Sequence, residues 1–142
     1  MARVLIDTGV WYSRYDARDT AASQDDVEAV FELVQAFDIV LPWPIAYETL
    51  RTRFTRNRIA MTLFEKELKS PSVQFIDDAP YRGDAMELAF NSSRHGRPLS
   101  MVDCVLRLIM DDRNINIGYF ATWNLLDFCD VCASRQIETI SN

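Results

Sequence analysis

Acidic and amide side chains recur along this chain at places where one edge of a sheet could gather them. Asp7 comes straight out of the apolar run Val4-Leu5-Ile6, and Glu48 lies just beyond Pro42 and Pro44. Asp103 follows Ser100 by three residues, and Asn124 and Asp127 follow the apolar stretch that begins at Tyr119. Taken singly, each has an ordinary structural explanation. Asp7 would cap a following helix, and Glu48 would favour the positive end of a helix dipole. Ser100 with Asp103 matches a capping pattern, and Asp127 would be a solvated loop acid. The set is harder to explain that way. Asp103 borders an apolar stripe of Leu99, Val102, Leu106 and Met110, and partly buried carboxylates that also repel one another are costly. A divalent cation with a preference for oxygen, Mg2+ or Mn2+, would relieve that cost. Zinc is not expected, because His95 is the only histidine and no H-E-x-x-H is present. A cation held by such a set could activate a bound water while a carboxylate accepts its proton.

The elements that must position these groups alternate between strand and helix. Short apolar runs predict strands at residues 3–7, 38–41, 73–76 and 119–122, with a fifth at 137–140. Ser23 and Asp26 suit a helix start, and Val27, Val30, Phe31, Val34 and Phe37 follow at helical spacing. Pro44 suits the first position of a helix carrying Ile45, Glu48, Leu50 and Phe54. Further helices are expected over 59–68 and 82–95, the latter stopped by Gly96 and Pro98, and from Ser100 to about Arg113. The alternation implies an α/β fold, with a central parallel sheet of four or five strands covered by helices on both faces. In such sheets sites form at the carboxyl ends of the strands.

The 142 residues suit one domain, residues 1–142, with 49% hydrophobic and 25% charged residues. The apolar opening is brief and ends at Asp7, so neither a signal peptide nor a membrane span is expected there. Cys104, Cys129 and Cys132 form an odd set that suits a cytoplasmic, reducing compartment, and the Cys129–Cys132 spacing is read as incidental. A net charge of −6 runs against a purely electrostatic nucleic-acid binder. Two features soften that exclusion. A metal site concentrates acids, and the basic residues Arg51, Arg53, Arg56, Arg58, Lys66 and Lys69 cluster against only Glu65 and Glu67.

Four segments in order carry a family resemblance. They are Val4-Leu5-Ile6-Asp7-Thr8-Gly9-Val10-Trp11, Ile45-Ala46-Tyr47-Glu48-Thr49-Leu50, Gly96-Arg97-Pro98-Leu99-Ser100-Met101-Val102-Asp103, and Ala121-Thr122-Trp123-Asn124-Leu125-Leu126-Asp127-Phe128. Together they resemble a PIN domain, most closely the VapC-type toxins of toxin–antitoxin pairs. The resemblance implies a PIN-like three-layer sandwich and a Mg2+- or Mn2+-dependent endoribonuclease acting on single-stranded or looped RNA. The implied products bear a 5′-phosphate and a 3′-hydroxyl. Asp7, Glu48 and Asp103 match the family's acidic positions, and Thr122 matches its hydroxyl position. Asn124 stands where the family often has a fourth acid, with Asp127 three residues on. Asp7, Glu48, Asp103 and Asp127 are therefore the expected metal ligands, with Thr122 and Asn124 completing the catalytic set.

The resemblance also implies a cognate antitoxin and a homodimer. Arg51, Arg53, Arg56 and Arg58 would contact RNA or that partner, because arginine suits bidentate phosphate contact. A solvated helix face is the ordinary alternative. Two rival functions remain in view. A phosphoacceptor signalling domain would need an acid pair after the first strand and a late lysine, but Asp7 stands alone and no lysine follows Lys69. A non-catalytic PIN-fold module that binds RNA or protein is the alternative that Asn124 keeps open. No G-x-G-x-x-G or Walker A sequence supports a nucleotide-binding enzyme.

Overall fold

The computed structural model describes residues 2–142. Five strands, β1 (Arg3–Ile6), β2 (Asp38–Pro42), β3 (Val73–Ile76), β4 (Tyr119–Ala121) and β5 (Glu138–Ile140), join one sheet in the order β3-β2-β1-β4-β5. Every pairing is parallel, with Leu5 opposite Val40 on one side and Phe120 on the other. Parallel strands need long crossovers, and these are helical. They are α1 (Thr8–Tyr15), α2 (Gln24–Val34), α3 (Trp43–Thr49), α4 (Arg58–Leu68), α5 (Arg82–Arg94), α6 (Met101–Asp111) and α7 (Cys129–Arg135).

Chain direction sorts the helices into two layers. From β1 to β3 the chain steps one way across the sheet, and from β3 to β5 it returns the other way. Right-handed crossovers then place α1 to α4 on one face and α5 to α7 on the other. The packing agrees: α1 meets α2, α3 and α4, while α6 meets α5 and α7. Helices on both faces bury the central strands completely, so Val4, Leu5 and Ile6 have no exposed surface. One layer packs through aromatic rings, with Trp11 centred 5.6 Å from Phe31 and 5.8 Å from Phe64. The other packs through Phe120 against Phe128 at 4.8 Å, with Leu106 and Ile109 beside them. No helix among the described residues is long and apolar enough to cross a membrane.

The fold class agrees with the expectation, and the differences are local. The first strand stops at Ile6, and Asp7 becomes the cap of α1, a helix that the hydrophobic pattern did not signal. The helix after Pro42 ends at Thr49 instead of running on to Phe54. Three threonines account for this: the hydroxyls of Thr49, Thr52 and Thr55 each donate to a nearby carbonyl, those of Ile45, Thr49 and Thr52. Such bonds compete with a continuing helix ladder. Phe37 lies beyond the end of α2, where it stacks on Tyr119 at 4.3 Å. Gly96 terminates α5 region in the left-handed conformation, φ 79°, which a residue with a Cβ adopts only under strain.

Candidate active site

The strand order places β1 beside β4, and the chain leaves these two strands in opposite directions across the sheet. That makes their carboxyl ends a topological switch point, where an open α/β sheet leaves a crevice. Asp7 leaves β1 and Thr122 leaves β4 at this point. The Asp7 amide donates to the Ala121 carbonyl at 2.9 Å, which locks the two strand ends together.

Asp7 is at once a helix cap and the centre of the acidic group. Its Oδ1 accepts from the Thr8 amide at 2.8 Å, and its Oδ2 accepts from the Thr122 hydroxyl at 2.9 Å. Burial pushes its carboxyl up to about 6; the Thr122 and Thr8 hydrogen bonds work against that rise, while the charges of Asp103 and Glu48 add to it. Asp103 sits in the first turn of α6, whose cap, Ser100, accepts from the Asp103 amide at 3.0 Å. Burial raises the Asp103 carboxyl too, and the nearby charges of Asp127 and Glu48 contribute. Glu48 reaches the same crevice from α3, and the Thr8 hydroxyl donates to its Oε1 at 2.6 Å.

Asn124 and Asp127 extend the network outward. The Asn124 amide donates to the Thr122 hydroxyl oxygen at 2.9 Å, and its side-chain Nδ2 donates to Asp127 Oδ2 at 2.6 Å. The other oxygen of Asp127 accepts from Arg97 Nη2 at 2.9 Å. That hydrogen bond, first among several, holds Asp127 below the usual carboxylate range. A continuous path of hydrogen bonds thus runs from Glu48 through Thr8, Asp7, Thr122, Asn124 and Asp127 to Arg97.

Five of the six expected site residues, Asp7, Glu48, Thr122, Asn124 and Asp127, therefore fall on this path, and Asp103 lies near enough for its charge to act on Asp7, but the members differ. The charges of Asp103 and Glu48 act on Asp7, and those of Asp127 and Glu48 act on Asp103, while Asp127 differs in having an arginine as one of its partners. The carboxylates do not close on a common point: among the described residues no three His, Cys, Asp or Glu side chains form a ready-made metal cage. Their chemistry nonetheless suits a hard cation. All the donors are oxygens, and the raised carboxyls of Asp7 and Asp103 are what a positive charge would relieve.

The basic stretch divides. Arg53 Nε donates to Asp16 Oδ2 at 2.6 Å, and Asp16 is buried. Burial alone would raise the Asp16 carboxyl, but hydrogen bonds from Tyr12 and Arg53 outweigh it and hold it at about 2. Arg51, Arg56 and Arg58 are exposed, and Arg56 and Arg58 edge a groove of about 590 Å3 floored by Met61, Phe64 and Leu68.

Three residues of the site escaped the sequence reading as contributors. Thr8 bridges Asp7 to Glu48, and its only signal was its place directly after Asp7. Arg97 reaches Asp127 across 30 residues, which nothing local announces. Ser13 accepts from the Trp123 indole at 2.9 Å and so ties the loop after β4 to α1. No family model matches the chain, and no curated protein matches it.

Proposed function

We propose that the chain is a Mg2+- or Mn2+-dependent endoribonuclease of the PIN type, acting as the toxin of a toxin–antitoxin pair. The observation that carries this reading is the raised, part-buried Asp7 at the β1–β4 switch point, with Asp103 and Glu48 close enough to add to its rise. Asp7 and Asp103 would hold the cation, with Glu48 beside them. When bound, it would neutralise the phosphodiester and supply the Lewis acidity that hydrolysis needs. The chain's own groups supply orientation. Thr122 fixes one oxygen of Asp7, and the Thr8 amide fixes the other. Thr8 also holds Glu48 by Oε1, which leaves Oε2 to accept a proton from an attacking water.

Two surfaces support the partner expectations. The groove edged by Arg56 and Arg58 has an apolar floor suited to one face of an antitoxin helix. Trp43 and Tyr47 on α3, and Met86 and Phe90 on α5, are exposed and suit a homodimer contact.

One observation favours a second reading, a PIN-fold binding module: Asp127 is occupied by Arg97 and Asn124. RNA cleavage with and without EDTA separates the two. Cleavage that requires the metal and is abolished in Asp103→Asn is the expected result. A purified wild type that cleaves nothing at any Mg2+ or Mn2+ concentration, yet binds RNA, would establish the module instead.

A further inference from the structure

Arg97 lies in the turn between α5 and α6, and its backbone is well anchored. Gly96 takes the left-handed conformation, the Arg97 amide donates to the Ser92 carbonyl at 3.2 Å, and the Leu99 amide donates to the Ser92 hydroxyl at 2.9 Å. Its head group is held differently. A single nitrogen, Nη2, makes both contacts, to Asp127 Oδ1 at 2.9 Å and to the Leu126 carbonyl at 2.7 Å. Among the described residues Nε and Nη1 take no partner, and the side chain is 54% exposed. The neighbouring Arg107 makes the contrast plain. It grips Asp130 with both terminal nitrogens, at 2.7 and 2.5 Å, and its side chain is only 18% exposed. Arg107 is a fixed strut between α6 and the start of α7. Arg97 is a cation with unused donors at the rim of an acidic crevice.

A planar guanidinium with free donors matches a phosphate in two-point geometry, and that contact is stronger than an exposed one-nitrogen ion pair. Asp127, for its part, lies near enough to Asp103 for its charge to be felt there. We propose that Arg97 is the phosphate-contacting side chain of this site, stored on Asp127 while no polyanion is bound. When a phosphodiester takes the guanidinium, Oδ1 of Asp127 is released to join Asp103 around the cation, while Oδ2 keeps its bond from Asn124. Backbone binding and completion of the acidic set are thereby coupled, and the substrate class is a phosphodiester polyanion. The inference rests on the nuclease reading for the identity of the cation site, but its test measures binding alone.

The experiment measures Mn2+ affinity by calorimetry for the wild type, Arg97→Gln, Asp127→Asn and the double variant, without nucleic acid. It also measures affinity for a short cleavage-resistant phosphorothioate RNA in EDTA, for the same proteins and Arg97→Lys. Arg97→Gln should bind Mn2+ about tenfold more tightly, because a competing positive charge is gone. The same change in the Asp127→Asn background should have no such effect. Arg97→Gln should also bind the oligonucleotide about tenfold more weakly, with Arg97→Lys intermediate, since lysine keeps the charge but not the fork. Unchanged Mn2+ affinity, an equal gain in the Asp127→Asn background, or unchanged oligonucleotide affinity would each overturn the proposal. If the wild type cleaves no RNA but these binding differences appear, the nuclease reading falls and the Arg97 exchange stands.

Discussion

Asp7 shows that the two explanations considered for it alone, a helix cap and a member of an acidic group, are compatible. It caps α1 through Oδ1 and presents Oδ2 to Thr122, so the capping explanation and the site explanation describe the same carboxylate. Its raised carboxyl has a consequence for folding. A carboxyl whose pKa is higher folded than unfolded adds stability at low pH, and that stability is lost as pH rises through the folded value. For Asp7 the window runs from about 4 to about 6. In EDTA, Asp7→Asn should therefore be more stable than the wild type above this window, by at most about 3 kcal/mol, and the difference should close as the pH falls to about 4. Urea unfolding of both proteins across that range checks this. A constant difference at every pH would show that Asp7 is not the group responsible. Added Mn2+ should raise the melting temperature of the wild type and leave that of Asp7→Asn nearly unmoved, since only a binding-competent native state gains from the ligand.

At the scale of elements, the segment after β4 carries Thr122, Asn124 and Asp127 and needs an external support. Trp123 provides it, donating its indole N–H to Ser13 on α1 at 2.9 Å, while the Ser13 hydroxyl turns to Gly9 and Asp19. Ser13→Ala would leave that indole N–H unpaired at a part-buried position. The expected cost is about 1–2 kcal/mol in urea unfolding, with the metal concentration for half-maximal cleavage raised while the far-ultraviolet circular dichroism stays unchanged. A variant with wild-type stability and wild-type metal dependence would show that the tie does not hold the loop. The helix ends show how much of this layer was legible beforehand. Ser23 and Ser100 cap α2 and α6 as their spacing implied, because a cap is a bond between residues three apart. The premature end of α3 was not legible, since the threonine hydroxyls that end it are equally compatible with a solvent-facing helix.

Across the whole molecule, charge is distributed by tertiary pairing more than by its order in the chain. The arginines at 51–58 read as one basic stretch, yet Arg53 is consumed by the buried Asp16. Arg51 and Arg58 are exposed and enter none of the ion pairs found among the described residues. Arg51→Ala and Arg58→Ala should weaken RNA binding and flatten its dependence on salt, each by about one phosphate contact. Arg53→Ala should instead lower the unfolding midpoint, because it strands a buried carboxylate. A filter-binding salt series beside thermal melts separates the two behaviours, and an Arg53→Ala protein with an unchanged melt and a reduced salt slope would reverse the assignment.

The sequence by itself determined the pieces. Apolar runs of four or five residues closed by proline, glycine or an acid specify short buried strands, and helical spacing with serine caps specifies the longer helices, because both patterns are local. It also supplied the candidate oxygen donors, Asp7, Thr122, Asn124 and Asp127 beyond strand ends and Glu48 and Asp103 on helices. Only the tertiary structure decided their relationships. Asp7 and Thr122, 115 residues apart, meet because right-handed crossovers in opposite directions bring β1 beside β4, and no local periodicity encodes that neighbour. The same holds for the partners of the arginines. A guanidinium pairs with whichever carboxylate the fold brings within reach, so Arg53 went to Asp16 and Arg97 to Asp127, choices that long-range packing makes after the strands have found their order.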